Sequence, residues 1–386
     1  MPEAGGPRPR IAFATSVWEG VGVGGHTFVG YLREAARRGE LDVVFFSDRI
    51  EAERERERPV RVPAWKRRVP GKWALTSADY ARAIAREHAR RPFDVLWANN
   101  VIQTVSPAWR RGALAGVPVV GMINDYVKAD ARAPWAGGSA SDWFWRGVER
   151  RAARRADAVV VNSAMMERHI AAAYGLPPAR VETLYKAVDV AAFAYAEREL
   201  PAGGPVRVLF LKGDPHRGGL GDLLGAIARL PERWALTVAG PGDAAAAPYR
   251  EQAEALGIAS RVAFVGPQGR AAVRGLLGNH DLVCMPSRQE ALGVAYLEAL
   301  ASGTPVVARD IGGVAEVLAD GRAGVLVPDA APAAFQPALA DALAGLAADP
   351  AARLARVRAG RAHAATFSTE AMVARIDQIA STIRPS

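Results

Sequence analysis

Short apolar runs recur along the chain, bounded by polar or glycine-containing stretches. Between them lie longer segments in which apolar residues return every three to four positions. The first kind reads as strand and the second as helix. Residues 10–15, 41–47, 95–98, 117–123, 158–162 and 181–185 are predicted strands, with helices at 27–38, 76–90, 143–155 and 163–174. The alternation then begins afresh, with strands at 207–211, 234–239, 262–265, 282–286, 305–308 and 324–327 and helices at 219–229, 249–256, 270–277 and 294–302. Strands that are apolar at successive positions are buried on both faces. Each half is therefore predicted as a parallel sheet wound by helices on both sides. Residues 186–205, where Ala, Pro and Gly cluster, read as the link between the halves, and the charged, Pro-containing stretch 51–72 as a loop or insertion.

Composition agrees with two cores. At 386 residues and 50% hydrophobic, the chain exceeds one ordinary domain. It has no apolar run long enough for a spanning helix, and its first ten residues lack the apolar segment of a secretory leader. The lone Cys284, inside Leu282-Val283-Cys284-Met285, reads as a packed strand residue. A cytoplasmic location is expected. The net charge of +9 draws anionic partners such as nucleotide phosphates or acidic membranes. No zinc spacing, RNP motif or basic zipper is present, so no nucleic-acid partner is expected. Trp65, Lys66, Arg67, Arg68, Lys72 and Trp73 form a basic, aromatic run. It fits peripheral contact with an anionic membrane at the inner face, or simply a solvated loop broken by Pro63 and Pro70.

Two strand-to-helix junctions carry candidate chemistry. The first, from Gly20 to His26, includes Gly24 and Gly25 and lets a ligand approach the backbone closely. It is too long for the tight dinucleotide turn, and no acidic residue closes a second strand, which argues against a nicotinamide enzyme. The second runs from Leu211 to Gly219. Lys212 and Arg217 stand five positions apart across a Gly/Pro turn, which reads as a diphosphate clamp or, taken alone, as a solvated charged loop. Further on, Glu290 precedes a predicted helix, Gly293 sits near its start, and Glu298 lies on it. Eight helical residues span about 12 Å, whereas retaining glycosidase carboxylates sit about 5 Å apart. The two carboxylates therefore read as separate contacts on one extended ligand.

In this context the chain resembles glycosyltransferase family 4, the retaining enzymes of GT-B fold. Glu290 and Glu298 match its E-x7-E element, and Lys212 and Arg217 its phosphate pair with the residue types exchanged. Gly312-Gly313-Val314-Ala315-Glu316 matches its Gly-Gly-x-x-Glu element, and Asn162-Ser163 and Val188-Asp189 resemble its interdomain region. The resemblance implies two Rossmann-like domains facing across a cleft: an acceptor domain at 1–188, a donor domain at 189–366, and a helix within 367–386 that crosses back to the first. It implies metal-independent transfer of a hexosyl group, with no cofactor, from a nucleotide sugar to a hydroxyl acceptor. UDP-sugars are favoured and GDP-sugars remain open. The acceptor would be a carbohydrate, a cyclitol or a lipid-linked glycan.

Lys212, Arg217, Glu290 and Asp125 would serve catalysis. The donor would meet Gly24, Gly25, Gly266, Leu292, Gly293, Val294 and Glu298 as well as the clamp and Glu290. The acceptor would meet His26, Asn124, Asp125 and Tyr126. His26 could equally orient a hydroxyl or a phosphate, and Asp125 could equally cap a helix. A GT-B epimerase and a non-catalytic nucleotide-sugar-binding module are the alternatives.

Overall fold

The computed structural model describes residues 7–18, 24–67, 72–125, 140–200 and 203–384. The chain forms two compact units, residues 1–185 with 370–386 and residues 186–369.

The first unit is built on β1 (Arg10–Ala14), α1 (Gly24–Arg37), β2 (Asp42–Ser47), β3 (Glu57–Pro59), α2 (Ala64–Arg67), α3 (Lys72–His88), β4 (Val95–Ala98), β5 (Val119–Ile123), α4 (Ala140–Arg155), β6 (Ala158–Val161), α5 (Ala164–Tyr174) and β7 (Val181–Thr183). Its strands pair in parallel in the order β3-β2-β1-β4-β5-β6-β7. Every residue of β1, β4, β5 and β6 is buried, as expected of strands covered on both faces. Ser163 starts α5 by accepting a hydrogen bond from the Met166 amide at 3.2 Å, which satisfies one of the helix's free N–H groups.

The second unit comprises β8 (Val206–Leu211), α6 (Leu220–Ile227), β9 (Trp234–Ala239), α7 (Asp243–Ala255), β10 (Val262–Gly266), α8 (Arg270–Asn279), β11 (Leu282–Met285), α9 (Val294–Ser302), β12 (Val306–Asp310), α10 (Val314–Val317), β13 (Val325–Pro328), α11 (Pro332–Ala348) and α12 (Pro350–Ala364). Its parallel order is β10-β9-β8-β11-β12-β13. Cys284 is fully buried in β11, and burial pushes its thiol up, away from nucleophilic use.

The last helix, α13 (Thr369–Ile383), lies almost wholly in the segment that returns to the first unit. Met372, Val373, Ile376, Ile379 and Ala380 are buried. Arg375 pairs with Glu182 at 2.6 Å and donates to the Thr183 carbonyl at 3.2 Å, while Arg384 pairs with Asp94 at 3.0 Å.

Several boundaries differ from the sequence reading. The stretch 51–72 is not wholly loop, because it holds β3 as an edge strand and the short α2. Helix α1 begins at Gly24, so Gly24, Gly25 and His26 occupy its first turn rather than the loop before it. Helix α7 starts six residues before its predicted start and carries Pro248 inside it, on an exposed turn.

Candidate active site

In an open α/β sheet, ligands bind outside the carboxyl ends of the strands where the strand order reverses. The reversals fall between β1 and β4 in one sheet and between β8 and β11 in the other. The second reversal gathers the predicted donor residues. Lys212 directly follows β8, and Ser287 and Glu290 follow β11. The Lys212 Nζ donates to Glu290 Oε2 at 2.5 Å and to Ser287 Oγ at 3.1 Å. Both ionic side chains are about one-fifth exposed, so the pair is partly desolvated yet open to a ligand.

The carboxylate loop is held from two sides. Gly293 caps the start of α9 in the left-handed region at φ +95°, and a Cβ there would lie 2.3 Å from the Tyr296 ring. No other residue fits this turn, which leaves the amides at the start of α9 beside Glu290. Leu292 is buried behind the turn and Val294 is the first helical residue. The Tyr296 hydroxyl donates to the Met285 carbonyl and so ties α9 to β11. From the other side, the Gly313 amide donates to the Glu290 carbonyl at 3.1 Å, and a Cβ on Gly313 would lie 2.4 Å from the Ala291 oxygen. The Gly-Gly-x-x-Glu element thus buttresses the loop that aims Glu290.

Arg217 lies on the turn after β8. Its amide donates to Asp214 Oδ1 at 3.0 Å, and its carbonyl accepts from the Arg288 amide at 2.8 Å. The clamp turn and the carboxylate loop are therefore stitched together. The sequence reading omitted what secures them. Buried Asp222 accepts from Arg288 at 3.2 Å and from Arg309 at 2.5 Å, and the Arg309 guanidinium lies 3.5 Å from the Phe335 ring centre. The only sequence signals were an acid in the first turn of α6 and an arginine late in β12. Ser287 was likewise missed. At β10, Gly266 has φ +68° and its carbonyl accepts from the Gly240 amide at 2.8 Å, while Val265 next to it is exposed.

Glu298 projects from α9 and is half-buried. Desolvation pushes its carboxyl up to about 7, against the opposing pull of Arg270 and Arg274. The folded state therefore holds this proton more tightly than the unfolded chain, whose value is near 4.5. Its contribution to stability is full below the unfolded value, declines as pH rises through that window, and is flat above about 7. Glu298→Gln is expected to melt several degrees above wild type at pH 8, with most of the gap closing at pH 5. Calorimetry at both pH values checks this. An equal gap at both would show that burial does not perturb the carboxyl.

In the first unit, Asn124 and Asp125 directly follow β5, both half-buried. Gly24, Gly25 and His26 are placed by backbone in α1, and Tyr126 lies outside the described residues. The basic, aromatic run is described only in part. Trp65 is exposed, but Lys66 pairs with Asp79 at 2.9 Å and the Trp73 indole donates to Ser16 at 2.9 Å. The side chains of Arg67 and Arg68 are outside the described set. No helix among the described residues is long and apolar enough to cross a membrane.

Residues 23–186 match the family described as "Glycosyl transferase 4-like domain", and residues 205–349 that described as "Glycosyl transferases group 1". The D-inositol 3-phosphate glycosyltransferases of Mycobacterium bovis and Mycobacterium tuberculosis are 35% identical over 231 residues, 58% of this chain and 48% of theirs. The matched stretch thus spans about half the length of those relatives. Sucrose-phosphate synthase from Thermosynechococcus elongatus superposes with a TM-score of 0.80 at 22% identity, covering 97% of this chain and 99% of that one. HepE of Anabaena, solved with UDP-glucose, gives 0.72 at 18% identity, covering 97% and 100%. Two doubly wound parallel units of this kind define the GT-B architecture. The chain belongs to the GT-B glycosyltransferases of the family 4 type.

Proposed function

We propose that the protein transfers a hexosyl group from a nucleotide sugar, with a UDP-sugar favoured, to a hydroxyl of a carbohydrate or cyclitol acceptor, with retention and without a metal ion. The observation that carries this reading is the Lys212–Glu290–Ser287 cluster at the strand reversal of the second sheet, beside the N-terminus of α9. A cation and free helix amides there suit a diphosphate, and a carboxylate beside them suits sugar hydroxyls. The HepE structure with UDP-glucose and the inositol-phosphate transferases among the relatives support this choice of donor and acceptor classes.

As the bond between the sugar C1 and the diphosphate oxygen breaks, its electron pair goes to the leaving phosphate. Lys212 and Arg217 stabilise that growing charge. Glu290 holds the sugar through its hydroxyls, and Glu298 accepts hydrogen bonds from the ribose. The acceptor oxygen forms its bond to C1 on the face the phosphate leaves, and its proton passes to the departing phosphate oxygen.

A thermal-shift screen over UDP-, GDP-, ADP- and TDP-sugars tests the donor, since only ligands of the native state raise melting. Nucleotide release with polyol and glycan acceptors tests transfer. Because the cations of the chain neutralise the leaving group, activity is expected to survive EDTA with less than about a tenfold loss. Complete loss that magnesium or manganese restores would overturn the metal-free reading.

A further inference from the structure

The crossover from β4 to β5 carries no long helix. It runs through three short 3-10 turns, Val101–Thr104, Pro107–Arg110 and Gly112–Leu114. Ser106 caps the second by accepting from the Ala108 amide at 3.3 Å, and Pro107 pre-sets its first residue. Trp109 is buried, and its indole donates to the Ser77 carbonyl at 3.0 Å. Arg110 and Arg111 follow it and are exposed. Short turns fill less space than a crossover helix, and a cavity of about 370 Å³ stands beside them. Val119, which opens β5, and Ala156, just before β6, belong to its wall. The cavity therefore lies toward the amino ends of these strands, away from the carboxyl edge where such sheets take their substrates. Its size falls within the range of small-molecule sites, roughly 300–1,000 Å³.

Three arginines line this cavity: Arg110, Arg111 and Arg155. Arg110 is committed to the fold. It pairs with Asp157 at 2.8 Å and donates to the Arg155 carbonyl at the end of α4. Asp157 is committed too, because its Oδ2 also accepts from the Val119 amide at 2.7 Å. Arg180 donates to the Arg154 carbonyl at 3.1 Å and to the Ala156 carbonyl, so the electronegative end of α4 already has its cations. Arg111 and Arg155 remain. Both are exposed, and neither makes an ion pair among the described residues. A guanidinium cannot shed its charge by losing a proton. A concave site lined by one sign of charge concentrates counter-ions.

We propose that this cavity binds a phosphate monoester through Arg111 and Arg155, with the carbon skeleton of the ester against Pro107 and Val119. A monoester carries about −1.5 to −2 charges near pH 7, which matches two uncommitted guanidinium groups. Each guanidinium offers paired N–H donors to phosphate oxygens. The two arrive from different elements, the turns before β5 and the end of α4, so a tetrahedral group can be met from two directions. A soluble phosphate ester and the headgroup of phosphatidic acid both present this group. The site belongs to the first unit, whereas the Lys212 cluster belongs to the second. It goes beyond the transferase reading and stands independently of it.

The full chain is titrated calorimetrically with glycerol phosphate, with and without UDP. It is also sedimented with phosphatidylcholine vesicles that contain or lack phosphatidic acid. Arg111→Gln combined with Arg155→Gln removes both charges from exposed positions and leaves Arg110 on its structural bonds, so an unchanged melting curve is expected. This double variant is expected to bind glycerol phosphate about tenfold or more weakly, while UDP affinity stays within about twofold of wild type. Arg111→Lys combined with Arg155→Lys keeps the charge without the fork and should recover part of the binding; it also serves if the glutamine variant does not fold. Sedimentation that needs both phosphatidic acid and the two arginines supports the proposal with a lipid as the source. Binding of glycerol phosphate alone supports it with a soluble ester as the source. No binding of either probe to the wild type, or equal binding by wild type and the glutamine variant, would overturn it. So would displacement of glycerol phosphate by UDP, which would put the ester on the Lys212 cluster instead.

Discussion

Lys212→Ala is expected to lower kcat/KM for the nucleotide sugar by about 100- to 1,000-fold, or roughly 2.7–4 kcal/mol of transition-state stabilisation. Two losses add here. The leaving diphosphate loses a cation, and Glu290 loses the ammonium that sits 2.5 Å from its carboxylate. An acid left beside an incoming diphosphate repels it, so KM should rise as kcat falls. Lys212→Arg preserves the charge and should retain most of the activity, since a guanidinium can span Glu290 and a phosphate oxygen. Steady-state kinetics on both variants, with melting curves to confirm folding, decide the matter. Turnover in Lys212→Ala within a factor of about three of wild type would remove Lys212 from the reaction.

The second large effect is on stability. A chain ending at Thr369 is expected to lose the folded first unit while keeping the second. Helix α13 buries Met372, Val373, Ile376 and Ile379. At about 1.5–3 kcal/mol each, their removal takes roughly 6–12 kcal/mol from a unit whose whole stability lies near 5–15 kcal/mol. The Arg375–Glu182 and Arg384–Asp94 pairs go with them, although as half-exposed pairs they contribute far less. Hydrogen exchange should show rapid labelling across β4, β5 and β6 of the truncated chain and native protection across β8, β11 and β12. Native protection in both sheets would show that α13 is dispensable.

What the sequence makes legible depends on the range of the interaction. Strands such as β4 and β11 stand out because continuous apolar runs report burial on both faces. Edge strand β3, with residues Glu57, Arg58 and Pro59, has no such run, because an edge is only half covered. The stretch 330–364 carries alanine on every face, so its apolar period is blurred. It nonetheless forms α11 and α12, the second of them capped by Asp349.

At the site, local spacing identifies Glu290, Glu298, Lys212 and Arg217 as residues of interest. It cannot show that Lys212 and Glu290 touch, because their contact requires β8 to lie beside β11 across two intervening strands of sequence. Asp222 and Arg309 were invisible for the same reason: a lone acid and a lone arginine acquire meaning only when helix α6 meets the end of β12. The ends of β4, β5 and β6 are an intermediate case. That each is followed immediately by Asn can be read along the chain, but the donation of Asn124 Nδ2 to the Asn99 carbonyl and of Asn162 Nδ2 to the Asn124 carbonyl needs the sheet order.

The division of the chain also reverses the order in which its parts are finished. Residues 186–369 form one uninterrupted stretch, and the first unit waits for 370–386. On a ribosome adding about 5–20 residues per second, the seven-stranded sheet emerges early yet lacks its last helix for roughly 10–40 seconds, while the six-stranded unit completes as soon as its own residues are out. The first unit made is therefore the last one closed. During that interval the apolar surface that α13 will cover stays open to solvent, so self-association of the nascent chain is expected at this face rather than at the six-stranded unit.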